Sequence, residues 1–281
     1  MKKHWKSDFV SLPTGQKLHV KQTGGDLPSL FLIHGVTDSG QYWSRLAEDL
    51  EDAFNVFMPD MIGHGQSDRL DGVISVEDMA QHVLALMDHY AIERCQICGH
   101  SMGAGITMLA ATAQPERFTA VLFEDPSLSN NPPPTPPLFL NMLEMTSAWR
   151  DEHIILRQLS IDEALTQLTT ERADWHPEDI KNNLEDRLAY DLTVFDRIDF
   201  SSSRRWQEEL PKINAPILLV IGEAELGSLI EEEVAKTAVS LMNDGQYVVV
   251  KGTGHGIHRE NYPAFRDVVL PFFTKHKVST A

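Results

Sequence analysis

Gly99-His100-Ser101-Met102-Gly103 spells G-x-S-x-G between an apolar run of strand length and a segment with helical spacing. In that setting the pattern predicts a nucleophile elbow, a bend so sharp that the serine Oγ stands clear of the sheet. A hydroxyl is a poor nucleophile until a base takes its proton. Glycines at 99 and 103 remove Cβ atoms that would collide in the bend, and the positive end of the helix starting at Met102 faces charge developing on a substrate oxygen. The base is expected to be His255, in the Gly-flanked stretch Lys251-Gly252-Thr253-Gly254-His255-Gly256 after the last strand. His258 makes an H-x-x-H spacing with it, but no acidic ligand pattern accompanies the pair, so no metal is expected. A second strand-end loop, in Leu30-Phe31-Leu32-Ile33-His34-Gly35-Val36, brings further backbone amides to the same place. The oxyanion hole is therefore expected to be the amides of Val36 and Met102, with His34 fixing the loop by hydrogen bonding.

These residues need elements that deliver them to one edge of a sheet. Residues 29–33, 54–58, 95–98, 119–123, 216–221 and 246–250 read as strands, and 42–50, 75–90, 102–113, 231–242 and 264–275 as helices, with Ser75 an N-cap. The alternation from Leu18 onward is that of an α/β fold, a mostly parallel sheet with helices on both faces. It stops after Glu124-Asp125-Pro126. There follow Pro132-Pro133-Pro134-Thr135-Pro136-Pro137 and acidic helical segments with no strand between them. Residues 127–210 are thus expected to be a helical cap inserted into a core domain of 1–126 and 211–281. Phe139, Trp149, Trp175 and Trp206 could line an acyl site there, but are expected mainly to be the cap's own core.

Composition excludes several functions. The 281 residues, 42% hydrophobic and 23% charged, suffice for a large buried core. Lys and Arg number 24 against 41 Asp and Glu, and the net charge of -17 repels phosphate backbones and anionic lipid, so neither nucleic acid nor a membrane is an expected partner. No run approaches the ~20 apolar residues of a spanning helix, and no apolar stretch follows the basic N-terminus. A cytoplasmic location is expected. Cys95 and Cys98 are the two cysteines. Three residues apart on a strand they point to opposite faces, so they are read as small buried hydrophobes rather than a redox or zinc pair. The expected partner is a small-molecule substrate, without cofactor; a homodimer is compatible with the sequence, which leaves the oligomeric state open.

Across nearly its whole length the chain resembles the α/β-hydrolase superfamily. Besides His34-Gly35 and the elbow, Asp60-Met61-Ile62-Gly63-His64-Gly65-Gln66-Ser67-Asp68 looks like that family's D-x-x-G-x-G-x-S loop. The resemblance implies an eight-stranded sheet, a structural role for that loop and its His64, and a substrate-binding position at Trp43. It also implies a third catalytic member, a carboxylate on the second imidazole nitrogen. Relatives supply it after the strand that follows the cap, where this chain has Glu225, or after the strand that precedes it, where it has Asp125. Both lie between Ser101 and His255, so chain order does not separate them. Asp125 is preferred, being short and held by a strand end, whereas Glu225 has an extra torsion and sits in a softer segment. The implied activity is hydrolysis of a small carboxylic ester or lactone through an acyl-enzyme. Amide or carbon-carbon bond hydrolysis, cofactor-free perhydrolysis, and a ligand-binding signalling protein with a retained triad stand as alternatives. Relatives that open epoxides or dehalogenate use an aspartate nucleophile, which Ser101 argues against.

Overall fold

Runs of β-branched and other apolar residues, bounded by glycine, proline and acidic turns, make the strands of the computed structural model, which describes residues 4–128, 149–200 and 205–277. They are β1 (Lys6–Ser11), β2 (Lys17–Gln22), β3 (Ser29–Ile33), β4 (Asn55–Pro59), β5 (Ile74–Ser75), β6 (Cys95–His100), β7 (Phe118–Glu124), β8 (Ile198–Asp199), β9 (Ile217–Ile221) and β10 (Gly245–Val249). Eight form one sheet in the order β1-β2-β4-β3-β6-β7-β9-β10. β1 and β2 pair antiparallel with each other and β2 with β4; the remaining pairs are parallel. The carboxyl ends of β3, β6, β7, β9 and β10 therefore open on the same edge, where ligands bind in sheets of this kind.

Among the described residues, the helices that frame the sheet and its insert include α1 (Ser44–Leu50), α2 (Val76–His89), α3 (Met102–Ala113), α4 (Ile161–Glu171), α5 (Pro177–Ala189), α6 (Glu232–Leu241) and α7 (Tyr262–Lys275). Period-2 alternation divides the core between the two faces. Phe31, Ile33, Ile97, Val121, Leu219 and Ile221 pack on one side, under α2, α3 and α6. Leu30, Leu32, Cys98, Leu122, Leu218 and Val220 pack on the other, under α1 and α7. Cys95 and Cys98 fall in opposite clusters, and burial pushes both thiols up.

Three features differ from the sequence reading. β1 precedes the expected start of the alternation; it is an edge strand exposed except at Val10, so it lacks an apolar face to announce it. The expected helix at 42–50 begins as a tight turn, Gly40–Trp43, before α1. The insert contains a strand after all: β8 pairs with β5, two residues each. The insert has its own small core of Leu156, Ala164, Leu168, Ile180 and Leu184, with Trp175 packed against it. Trp206 instead joins the core of the sheet, and Trp149 is exposed. The proline-rich connector and Phe139 lie outside the described residues. No described helix is long and apolar enough to cross a membrane.

Candidate active site

β6 ends at His100 and α3 begins at Met102, so Ser101 alone makes the turn, with φ 54° and ψ -116°. A non-glycine residue at such a φ is held there by its surroundings. A Cβ on Gly99 would lie 2.1 Å from the Gly103 carbonyl oxygen, and one on Gly103 would lie 2.2 Å from that of Ile33. The bend closes only because both positions are glycine. Ser101 N–H donates to the Glu124 carbonyl at 3.0 Å, tying the elbow to β7, and the side chain is half-buried.

Asp125 follows β7, also at positive φ, 41°, and is fully buried. Its Oδ2 accepts His255 Nδ1–H at 2.6 Å and Leu229 N–H at 2.9 Å; its Oδ1 accepts Ser228 Oγ–H at 2.5 Å. A carboxylate only accepts, so His255 donates from Nδ1 and keeps the lone pair of a base on Nε2. The imidazole is 36% exposed while Asp125 is not exposed at all, so the base is reachable and its partner is shielded. Glu225 lies exposed on the turn Ala224–Leu226. The segment that could have supplied a rival acid instead supplies donors to Asp125. Glu260 accepts the N–H groups on either side of His255, from Gly254 at 2.5 Å and Gly256 at 3.1 Å.

Val36 is half-buried after β3, and His64 Nε2–H donates to its carbonyl at 2.6 Å, which orients that peptide. Met102 opens α3, where the first N–H groups of a helix have no intrahelical partner. His34 donates to the Gly35 carbonyl and accepts Met61 N–H at 2.9 Å; burial and the neighbouring His64 lower its pKa to about 4, so it is a neutral loop brace. Asp60 accepts from His19 and from the amides of Gly40 and Gln66. Burial alone would push its carboxyl up, but His19 holds it below the ordinary range, and the Asp60–Asp68 loop is thereby a brace for neighbouring turns.

Trp43 is fully buried, stacked on His258 at 4.8 Å and edge-on to Tyr42 at 4.9 Å, in the core cluster beneath α1 and α7. Its ring is enclosed by these neighbours. His255 and His258, the H-x-x-H pair, go to different carboxylates, Asp125 and Glu124. Sequence reasoning missed Ser228, Glu260 and the role of His100, whose Nε2–H donates to the His255 carbonyl at 3.0 Å and whose ring centre is 4.6 Å from that of His255. Nothing local marks these residues, because each acts on a segment distant in the chain.

The strand order and the strand–turn–helix at Ser101 are those of an α/β-hydrolase fold. A profile of the alpha/beta hydrolase fold matches residues 28–262, and the chain belongs to that family. An uncharacterised protein of Mycobacterium bovis is 38% identical over 92 residues, 33% of this chain and 27% of that one, so the match spans about a quarter of that relative. Monoglyceride lipase of Homo sapiens is 24% identical over 255 residues, covering 85% of this chain and 79% of the lipase. Among solved structures, an N-formylmaleamic acid deformylase from Pseudomonas putida S16 superposes with a TM-score of 0.76 at 25% identity, over 94% of this chain and 100% of the deformylase.

Proposed function

We propose that the protein is a serine hydrolase that cleaves a small carboxylic ester or lactone through an acyl-enzyme on Ser101. The observation that carries this reading is the 2.6 Å bond from His255 Nδ1 to the buried Asp125, on the sheet edge that also bears an elbow serine at φ 54°. In the first half-reaction Ser101 Oγ adds to the acyl carbon as His255 Nε2 takes its proton, and Asp125 stabilises the imidazolium. The amides of Val36 and Met102 hold the oxyanion. His255 then protonates the leaving alkoxide as the carbon–oxygen bond breaks. Water, deprotonated by the same histidine, releases the acid and restores the serine. The helical insert of residues 127–210 acts as the cap that shapes the acyl pocket. The likeness to a lipase supports the ester reading.

The test is a panel of esters from acetyl to octanoyl with simple lactones. Turnover abolished in Ser101→Ala is expected, and no turnover of any member by the wild type would overturn the reading. A second reading, hydrolysis of an amide by the same residues, is favoured by the likeness to a deformylase. N-formyl amides run beside the esters decide between the two by kcat/KM.

A further inference from the structure

The segments that pair Asp125 with His255 make a second histidine–carboxylate pair from their neighbours, which the proposed reaction does not use. Glu124, fully buried at the end of β7, accepts His258 N–H on Oε1 at 2.9 Å and His258 Nδ1–H on both oxygens at 3.0 Å. His258 Nε2 faces the Tyr42 carbonyl at 3.2 Å. A carboxylate and a carbonyl are both acceptors, so the contacts on the two ring nitrogens suit an imidazolium, the form in which both carry hydrogen. The ring stacks on Trp43 and meets Tyr42 edge-on at 4.0 Å, with aromatic surface against the cation. The Glu124 backbone carbonyl, meanwhile, accepts the Ser101 amide.

We propose that Glu124 is a positioning residue: it holds His258 as a buried imidazolium, and this ion pair keeps the loop carrying His255 in register with the strand carrying Asp125. One residue thereby touches the turns of nucleophile, acid and base. The catalytic consequence rests on the hydrolase reading; the ion pair itself does not.

The groups facing the pair are Cys98 and His100 from β6, Tyr42 and Trp43 from the turn before α1, Phe265 from α7, and His255 on its own loop. None of them supplies a second anion. Burial alone would push the Glu124 carboxyl up, but His258, through its charge and its hydrogen bonds, holds it below the ordinary range, so it stays a carboxylate. Burial holds His100 well below the ordinary histidine range, so it is neutral and does not compete for Glu124.

The test combines imidazole nitrogen NMR of the full chain with ester kinetics. At neutral pH the wild type should show both His258 nitrogens protonated and a far-downfield His255 Nδ1–H. Glu124→Gln, which keeps the volume and removes the charge, should give a neutral His258, broaden the His255 signal and lower kcat by about 10²-fold with KM nearly unchanged. Should that variant not fold, Glu124→Gln/His258→Gln buries no unpaired charge and should show the same loss in kcat. A neutral His258 in the wild type overturns the proposal, as does either variant with wild-type kcat. If no ester or amide is turned over, the hydrolase reading fails separately, and the wild-type His258 and His255 signals with their response to Glu124→Gln decide the positioning.

Discussion

At the scale of single residues the acid is separated from its rival by what each carboxylate touches. Asp125 accepts three hydrogen bonds, one from His255, whereas Glu225 is exposed. Asp125→Asn should lower kcat by about 10⁴-fold, because it disturbs the histidine tautomer, with the fold retained. Glu225→Gln should leave kcat within about twofold of wild type, since an exposed loop charge makes no transition-state contact. Equal, mild losses in the two variants would refute the pairing as the catalytic one. Trp43 is tested in the same way. With its ring fully buried against His258, Trp43→Ala should cost about 3–5 kcal/mol in urea unfolding. A raised KM at unchanged stability would instead restore it to the substrate site.

At the scale of elements the elbow is a packing problem before it is a catalytic one. β6 and α3 approach so closely that the Cβ of Gly103→Ala would overlap the Ile33 carbonyl, a backbone atom that has no rotamer to escape into. That variant should lose about 1–3 kcal/mol of stability together with activity; wild-type labelling by a fluorophosphonate and an unchanged Tm would contradict it. The loop after β10 is held by Glu260 through the amides of Gly254 and Gly256. The elbow and the strands β3, β4, β6, β7, β9 and β10 were legible in the sequence because turn glycines and apolar runs are local signals. β1 and β8 were not: one is a mostly exposed edge, the other two residues that exist only because β5 pairs with them.

At the scale of the whole molecule the insert and the sheet meet through buried polar groups. Asp186 on α5 accepts from Ser39 Oγ at 2.6 Å and Gln41 Nε2 at 2.9 Å, while its Oδ2 lies 3.9 Å from Arg259 Nη2, which in turn belongs to a guanidinium bound to Asp38 at 2.7 Å. Burial, and then the charge of Asp38, raise the Asp186 pKa to about 7. The unfolded chain releases that proton near pH ~4, so the folded state binds more protons between these values and loses stability as pH rises through the window. Asp186→Asn removes the ionisation and keeps an acceptor for Ser39. At pH ~8 it should be more stable than wild type by on the order of 1 kcal/mol or more, and the difference should vanish near pH ~4. Parallel urea titrations at the two pH values check this, and a pH-independent difference would rule it out.

The sequence by itself determined the class of fold, the turn that presents Ser101 and the loop that carries His255, since each depends on residues adjacent in the chain. Only the tertiary structure decided that Asp125 receives His255, that Trp43 belongs to the core, and that Glu124 and Glu260 clamp the base loop. Those outcomes depend on where one segment's carboxylate lies relative to another segment's N–H groups. That distance is set by the order of strands in the sheet and by which face each side chain is buried on, and neither quantity is carried by local residue spacing.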